Sequence, residues 1–380
     1  MLIYQLFILG CLLVFLGILI KNLFDVERLP AHSPKAFPFV SILVPARNEA
    51  RNIESCVQSL LAQDYPNFEL IVLDDNSDDG TGDLLQALAK NSNKLKVLHG
   101  SQLPENWLGK CWACHQLSRQ ATGSLLLFTD ADTWHAPESL RRAVAAFQQS
   151  RADLLTLIPD QTLGSFWERV IVPLVHFSVL CYLPVKFVWE NRNTAFAFAN
   201  GQFMLFSRDM YEHIGGHESV RKALVEDVWL CKTVKSAGGR PVVFSGIEAV
   251  RCRMYQNLEE IIHGFSKNLF AGLGYSLFGI SMVGIISFAA YLLPFGFLGY
   301  ALISSLFTIE WFWLPLLHII LGVLMRGLIA VRYRLSIGES FLHGLSILMF
   351  LVISVNSVRW IKTGKGALWK GRRYDFSKSA

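Results

Sequence analysis

Between residues 39 and 246, short apolar runs alternate with segments in which apolar residues recur every three or four positions. The apolar runs predict β-strands at 40–44, 70–73, 96–98, 125–129 and 154–157. The periodic segments predict helices around 53–61, 84–88 and 140–147. Repeated strand–helix units of this kind predict an α/β fold, with a mainly parallel sheet and helices on both of its faces.

A long uncharged run precedes this alternating region. Residues 2–20 are apolar over about the length that crosses a bilayer, without the basic start and small-residue cleavage site of a secretory signal. We therefore expect residues 1–21 to be a retained transmembrane anchor. Lys21, Arg28 and Lys35 follow it, so the positive-inside rule places the N-terminus outside and the next region in the cytoplasm. The expected location is the cell membrane, which the chain crosses more than once.

Three further apolar blocks, at 277–305, 311–325 and 341–358, predict membrane segments over 277–358. Three simple spans would place the basic residues 359–380 outside, against the positive-inside rule. Splitting the first block into two spans would place Arg326, Arg332 and Arg334 outside. We therefore expect two spans, followed by a last block that lies in the interface or re-enters the membrane.

Composition and charge agree with a membrane protein. Hydrophobic residues make up 52% of the 380 positions and the mean hydropathy is +0.36, which excludes an ordinary soluble protein. The net charge of +5 is concentrated in residues 359–380, where seven Lys and Arg stand against one Asp. This cluster predicts a basic cytoplasmic tail that contacts anionic lipid, and we expect no nucleic-acid partner.

Residues 166–189 interrupt the strand–helix pattern with a dense run of aromatic and aliphatic side chains. Pro173 and Pro184 divide this run. Two interpretations stay open at this point: a kinked helix on the membrane surface, near which a lipid could enter, or a buried core helix with prolines at its ends.

The apolar run 125–128 leads into Asp130-Ala131-Asp132, which places two carboxylates one residue apart. In a buried parallel strand these acids emerge at the C-terminal end, where open α/β sheets place their ligands. Two acids held this close repel each other unless a cation lies between them. The motif therefore predicts a divalent metal bound through oxygen and, with it, the diphosphate of a nucleotide. A solvated turn with two surface acids is the alternative.

Polar residues also follow the first two predicted strands, so they gather on the same edge of the sheet. Pro45, Arg47 and Glu49 follow the first, and the loop 74–81 follows the second. Asp75 in this loop is placed to accept from a base or a ribose, whereas 76–81 is also ordinary turn sequence. Lys110 precedes a further helical segment, where a lysine near backbone amides can meet phosphate.

The order of four motifs resembles the family 2 nucleotide-sugar glycosyltransferases, over roughly residues 38–270. These motifs are Val44-Pro45-Ala46-Arg47-Asn48-Glu49, the loop 73–81, Asp130-Ala131-Asp132, and Gly215-Gly216 followed by Glu226-Asp227. Asn200-Gly201-Gln202-Phe203 and Gly215-Gly216-His217-Glu218 are similar to a bacterial branch that includes hopene-associated and diaponeurosporenoate glycosyltransferases. The resemblance implies a GT-A fold, which is Rossmann-like, a UDP-sugar donor and a lipid-like acceptor.

The resemblance also implies a role for each matching residue. Asp132 would bind Mg²⁺ or Mn²⁺ directly, and Asp130 would lie by the metal and the ribose. Asp227 would be the catalytic base, with Glu226 beside it. The residues bordering the nucleotide would be Pro45, Arg47 and Glu49, with Asp75 facing the uracil. A metal neutralises the leaving diphosphate and a carboxylate takes the acceptor proton, which gives single displacement with inversion. Acids that only favour a helix dipole are the alternative for Glu226 and Asp227.

One departure from the family concerns the sequence Gln/Arg-x-x-Arg-Trp, which processive members carry soon after the base. It does not occur between 250 and 274, where Arg251, Arg253, Tyr255 and Lys267 lie instead. Any of the three cations among them could steady the diphosphate, and ion pairing is the alternative for Arg251 and Arg253. The departure predicts transfer of one sugar rather than polymer synthesis.

Together these features predict a membrane-bound inverting glycosyltransferase that moves one sugar from a UDP donor to a lipid. By resemblance the acceptor would be a terpenoid, such as a carotenoid or a hopanoid-like lipid. Transfer to polyprenyl phosphate is an alternative, and so is a non-catalytic membrane scaffold that keeps the fold.

Overall fold

The computed structural model of the chain describes residues 1–363, 367–370 and 372–374. The remainder of the predicted basic tail, 364–366, 371 and 375–380, lies outside the described residues. The chain divides into two compact units. One, the sheet unit, comprises Val26–Thr162 and Val185–Met254. The other, the helical unit, comprises Met1–Asp25, Leu163–Pro184 and Tyr255–Ala380.

Sixteen α-helices and ten strands occur in the described residues. The helices are α1 Leu2–Asp25, α2 Ile53–Leu61, α3 Thr81–Ala89, α4 Gly109–Gln120, α5 Ser139–Ser150, α6 Phe166–Ile171, α7 Leu174–Tyr182, α8 Phe187–Glu190, α9 Arg208–His213, α10 Gly216–Ser219, α11 Glu226–Ser236, α12 Leu258–Gly272, α13 Leu277–Ser287, α14 Leu293–Ile303, α15 Leu314–Arg332 and α16 His343–Lys362. The strands are β1 Val40–Ala46, β2 Phe68–Asp74, β3 Leu95–His99, β4 Leu125–Phe128, β5 Thr133–His135, β6 Leu154–Gln161, β7 Met204–Ser207, β8 Pro241–Cys252, β9 Ala367–Trp369 and β10 Arg372–Tyr374.

The sheet unit is built on an eight-stranded sheet in the order β3-β2-β1-β4-β7-β6-β8-β5. Pairings among β3, β2, β1 and β4 are parallel, as is β6 with β8, whereas β7 and β5 are antiparallel to their neighbours. The predicted α/β architecture with a mainly parallel sheet is therefore confirmed. The five predicted strands are β1, β2, β3, β4 and β6, and the three predicted helices are α2, α3 and α5.

The core of the sheet unit explains why these runs are strands. Along β1, Val40, Ile42 and Val44 are fully buried, and the alternate residues Ser41 and Leu43 are buried as well. A strand covered on both faces reads as a continuous apolar run, because each face packs against helices. The apolar faces of α2, α3 and α5 join the same cluster as β1, β2, β4 and β6.

The helical unit contains the apolar segments that the sequence predicts to lie in the membrane. Four helical stretches in the described residues are long and apolar enough to cross a membrane, namely Leu2–Asp25, Leu277–Ile303, Ile309–Arg332 and Ile337–Lys362. The first C-terminal block is one continuous helical stretch, in which a π-helical turn, Phe288–Leu292, precedes Pro294. Proline removes one helical hydrogen bond, so a local change of helix geometry at this point is expected.

Residues 166–189 form three short helices instead of one, with breaks at Pro173 and Pro184. In the helical unit, α6 and α7 bury Val170, Phe177 and Cys181 almost completely. Buried polar groups bind the ends of these helices: Asn22 donates to the backbone oxygens of Leu180 and Leu183 at 2.8 and 2.7 Å. These contacts favour the buried-core interpretation for α6 and α7.

Candidate active site

The loops after β1 and β2 are locked to each other at the carboxyl edge of the sheet. The backbone N–H of Asp75 donates to the oxygen of Ala46 at 2.8 Å. The Arg47 guanidinium donates to the backbone oxygens of Asp75 and Asn76. Pro45 lies within β1 and pairs with Leu73 of β2. Parallel strands end at one edge, so the predicted nucleotide-binding residues are brought together as expected.

Asp79 shows why part of the acidic loop 74–81 is turn structure. Its carboxylate accepts from the backbone N–H of Ala50 at 2.9 Å and from the N–H and hydroxyl of Thr81 at 3.0 and 2.6 Å. Burial alone would raise the pKa of Asp79, but these hydrogen bonds lower it overall. Thr81 in turn accepts from the N–H of Glu49 at 2.8 Å. Asp79 therefore shapes the loop, whereas Asp75 is buried at the end of β2.

Asp130 and Asp132 lie in the loop between β4 and β5. Buried polar side chains at the two ends of this loop fix it by hydrogen bonds. The Thr133 hydroxyl donates to the backbone oxygen of Asp130 at 2.7 Å, and the Thr129 hydroxyl to that of Gln202 at 2.8 Å. His135 Nε2 lies 3.0 Å from the Thr133 hydroxyl and 3.1 Å from the Thr129 hydroxyl. Burial lowers the pKa of His135 to about 3, so the ring is neutral at physiological pH.

The surroundings of Asp132 fit a bound divalent cation. Its Oδ1 atom is buried and has no hydrogen-bond partner among the residues that the structure describes. Burial, followed by the nearby carboxylates of Asp130 and Glu49, raises the pKa of Asp132 to about 7. A bound cation would give Asp132 Oδ1 a partner, and it would reduce the repulsion between Asp132 and the nearby carboxylates.

The protein alone supplies few ligands for such a cation. Within the part of the chain that the structure describes, no group of three or more His, Cys, Asp or Glu residues is arranged to hold a metal. Mg²⁺ in phosphate-transfer sites commonly takes one or two carboxylates and completes its shell with phosphate oxygens and water. The donor set therefore fits a cation that is shared with a bound diphosphate.

Lys110 connects the two groups of acids that the sequence placed far apart. At the start of α4, its Nζ atom lies 2.7 Å from Oδ1 of Asp130 and 2.8 Å from Oε1 of Glu226. Burial alone would lower the pKa of Lys110, but the two carboxylates raise it well above its usual value. Lys110 is therefore a permanent cation between the two acids.

Asp227 is held at the first turn of α11. Its Oδ2 atom accepts from the N–H of Gly201 at 3.0 Å, and its Oδ1 atom accepts from the N–H of Val228 at 2.8 Å. Burial, followed by the carboxylate of the buried neighbour Glu226, raises the pKa of Asp227 to about 6. The carboxylate is thus fixed in direction and basic enough to accept a proton near neutral pH.

Gly201 is a site residue to which the sequence assigned no role. A Cβ atom at this position would lie 2.9 Å from Lys110 Nζ, 3.5 Å from Glu226 Oε1 and 3.7 Å from Asp227 Oδ2. Glycine therefore lets the backbone approach all three groups. The only signal in the sequence was the Asn200-Gly201-Gln202 similarity, which does not show what the glycine faces.

Cys252 was also missed. The Gln202 amide donates to its Sγ atom at 2.8 Å, and Cys252 is hydrogen-bonded to the Asp132 carboxylate. Nothing in the pattern around the end of β8 distinguishes this cysteine from a core residue.

The side chains that lie where the Gln/Arg-x-x-Arg-Trp sequence is missing belong to two different units. The Arg251 guanidinium carbon lies 4.0 Å from the centre of the Trp134 ring, and the two residues are paired across β8 and β5. This stacking gives Arg251 a partner on the sheet itself. Arg253 also belongs to the sheet unit, whereas Tyr255 and Lys267 belong to the helical unit.

Comparisons with known proteins identify similar sequences. Residues 41–215 match the family described as Glycosyl transferase family 2. The 4,4'-diaponeurosporenoate glycosyltransferase of Staphylococcus haemolyticus (strain JCSC1435) is 25% identical over 341 residues, which cover 88% of each chain. The protein of the same name from Staphylococcus aureus (strain MRSA252) is 26% identical over 238 residues, 62% of each chain.

A solved structure shares the fold. A mannosyltransferase from Pyrobaculum calidifontis, in complex with GDP-Man and Mn²⁺, aligns with a TM-score of 0.58 and 16% identity over 94% of this chain and 99% of its own. The GT-A fold expected from the resemblance is confirmed. The match to this family and the two glycosyltransferase relatives support a nucleotide-sugar glycosyltransferase.

Proposed function

We propose that the protein is a membrane-bound inverting glycosyltransferase that transfers one sugar from a UDP-sugar to a terpenoid carboxylic acid, of a carotenoid or hopanoid-like kind. The names of the Staphylococcus relatives, which are glycosyltransferases of diaponeurosporenoate, support the acceptor class. The four long apolar helices support access to a lipid.

The observation that carries this proposal is the ion pair network of Lys110. It joins Asp130, beside Asp132, to Glu226, beside Asp227. Displacement of a nucleoside diphosphate by an acceptor needs one charged group at the leaving end and another at the attacking end. The two ion pairs bring these carboxylates close to one ammonium, which supports a single site for both roles.

On the donor side, we assign Asp75 to the uracil, and Pro45, Arg47 and Glu49 to the border of the nucleotide. Asp132 and Asp130 would hold Mg²⁺ or Mn²⁺, which supplies positive charge to the departing diphosphate. Lys110 adds a cation at the same edge. The bonds from Arg47 to the loop after β2 keep this half of the site ordered before the donor binds.

On the acceptor side, we assign Asp227 to the attacking oxygen. A carboxylic acid acceptor is ionised at neutral pH, so Asp227 would orient it more than deprotonate it. Because the pKa of Asp227 is raised to about 6, its protonated carboxyl group would donate to the acceptor oxygen. The backbone N–H groups of Gly201 and Val228 donate to Asp227 and fix the direction of its carboxyl group. Attack from this side, opposite the diphosphate, inverts the anomeric carbon.

We further propose that the sheet unit lies in the cytoplasm, because Lys21, Arg28 and Lys35 follow the first apolar helix. The basic residues after Arg359 would then contact anionic lipid on the same side.

Two measurements test the function together. Purified protein in detergent is given labelled UDP-sugars and membrane lipid, with and without a chelator, and UDP release is recorded. Mass spectrometry then compares lipids from cells with and without the gene. We expect metal-dependent UDP release and one terpenoid that gains a single sugar mass. A sugar found on polyprenyl phosphate would show that the acceptor is not a terpenoid acid. An absence of UDP release would refute the proposed glycosyltransferase activity.

A further inference from the structure

The side chain of Lys110 meets two carboxylates that belong to opposite ends of the proposed reaction. Its Nζ atom is 2.7 Å from Asp130 and 2.8 Å from Glu226, and the Glu226 side chain is only 7% exposed. Glu226 is fixed at the start of α11 beside Asp227. The contact with Glu226 is therefore the buried end of the bridge, and the contact with Asp130 is the more accessible one, at 27% exposure.

The contact with Asp130 uses an oxygen that a metal ion would also need. Asp130 Oδ1 lies at hydrogen-bonding distance from the ammonium, and a divalent cation on the same oxygen would face its positive charge at close range. Two cations cannot share one carboxylate oxygen at full strength. The ammonium and a metal therefore compete for Asp130.

The site also contains the conditions for Lys110 to move. Lysine carries its charge on a flexible four-carbon chain. Gly201 has no side chain to confine the ammonium, since a Cβ there would approach Nζ to 2.9 Å. Bound diphosphate would bring new oxyanions to the edge where Asp130 lies, so an ammonium displaced from Asp130 would find an anionic partner close by.

We propose that Lys110 exchanges partners during the catalytic cycle: it pairs with Asp130 before the donor binds, and with the donor's diphosphate once a divalent cation takes Asp130. Its bond to Glu226 persists in both states and keeps the donor side connected to the side of Asp227. Lys110 then supplies the positive charge on the diphosphate that the Gln/Arg-x-x-Arg-Trp sequence, absent after Asp227, does not provide here. The inference rests on the proposed function and adds to it a role specific to one side chain.

The exchange predicts effects of opposite sign on the two ligands. In Lys110→Met the competing cation is gone, so Mn²⁺ alone should bind about tenfold more tightly, the lower end of the effect that a neighbouring charge has on a carboxylate. UDP in saturating Mn²⁺ should bind about tenfold more weakly, because a charged contact to phosphate is lost. A lysine with a merely structural role would weaken both or change neither.

The experiment measures Mn²⁺ binding without nucleotide by electron paramagnetic resonance, and UDP binding in saturating Mn²⁺ by calorimetry, on the full-length protein. Gly201→Ala is the second variant: its methyl group would come too close only to the far end of the Lys110 chain and would make ordinary contacts with Glu226 and Asp227, so it should fold normally and displace the ammonium. Its effects should have the same two signs and be smaller. Lys90→Met, which removes an exposed charge at the end of α3, is the control and should change neither affinity.

Opposite signs in Lys110→Met and Gly201→Ala support the exchange. Weaker Mn²⁺ binding, or unchanged binding of both ligands, overturns it while leaving the proposed function intact, provided that the wild-type protein binds UDP. A wild-type protein that binds neither Mn²⁺ nor UDP overturns the proposed function itself.

Discussion

Replacement of Asp227 by asparagine distinguishes a carboxylic acid acceptor from a hydroxyl acceptor. In the wild-type protein the two oxygens of Asp227 accept from the N–H groups of Gly201 and Val228. Asparagine keeps one acceptor and turns an N–H₂ group towards the other donor. We expect this mismatch to cost about 1–3 kcal/mol of unfolding free energy, less what is regained by removing a buried charge.

The effect on rate depends on whether the acceptor must lose a proton. General base catalysis contributes about 10²- to 10⁴-fold, and a carboxylic acid with a pKa near 4 does not need it at neutral pH. For the proposed acceptor, Asp227→Asn should therefore lower kcat by only about tenfold, which corresponds to about 1.4 kcal/mol of lost orientation. Asp132→Ala removes a carboxylate that would hold the metal, so it should lower kcat by about 10³-fold or more.

The assay compares UDP release by the two variants with a terpenoid acid as acceptor, after unfolding curves have shown that both are folded. Asp83→Asn, a change to an exposed acid on α3, serves as the matched control and should retain the wild-type rate. Equal losses of 10³-fold or more in Asp227→Asn and Asp132→Ala, with both proteins folded, would show that the acceptor oxygen needs a base. The carboxylic acid would then be the wrong acceptor.

Three further predictions concern stability and topology. The folded protein raises the pKa of Asp227 from 3.8 to about 6, so the protonated carboxyl favours folding at low pH and this advantage is lost as pH rises through about 6. Wild-type unfolding free energy should therefore fall relative to Asp227→Asn between about pH 4 and pH 6, and parallel curves would contradict this. Gly123→Ala should lower the unfolding free energy, measured by denaturant titration, by about 3 kcal/mol, because its Cβ would lie 2.5 Å from the backbone N of Ser41. Gly272→Ala, which has open space around the added Cβ, should leave the unfolding free energy unchanged. A cysteine at the exposed Thr363 should not react with a membrane-impermeant maleimide applied to intact cells, and labelling from outside would place the end of α16 there.

Five strands could be predicted from the sequence, whereas β5, β7 and the longer β8 were not predicted. β1, β2 and β4 are covered on both faces, so their apolar runs are visible without any knowledge of neighbours. β5 has three residues and β7 has four, and both are strands because β8 and β4 supply their hydrogen bonds. Short segments of this kind carry too little pattern to be distinguished from loops.

The candidate site divides in the same way. Asp130 and Asp132 stand at a strand end, a place that topology alone marks for ligands, so they could be selected from the sequence. The pairing of Lys110 with Glu226 could not, because it joins the first turn of α4 to the first turn of α11 across a long interval of sequence. Gly201 has meaning only through that pair, since the space it leaves is filled by the ammonium of Lys110.

The buried position of Arg326 weakens its use as a positive charge that marks the cytoplasmic side of the membrane. In the sequence it counts, with Arg332 and Arg334, as a positive charge that should stay in the cytoplasm. In the helical unit it is 4% exposed and donates to the backbone oxygens of Arg169 and Val170 at 2.9 and 2.8 Å. These oxygens belong to the end of α6, so the guanidinium satisfies them and its buried charge is stabilised by the same hydrogen bonds. An arginine used inside the protein in this way says little about which side of the membrane it lies on, and the orientation of α15 then depends on Arg332 and Arg334.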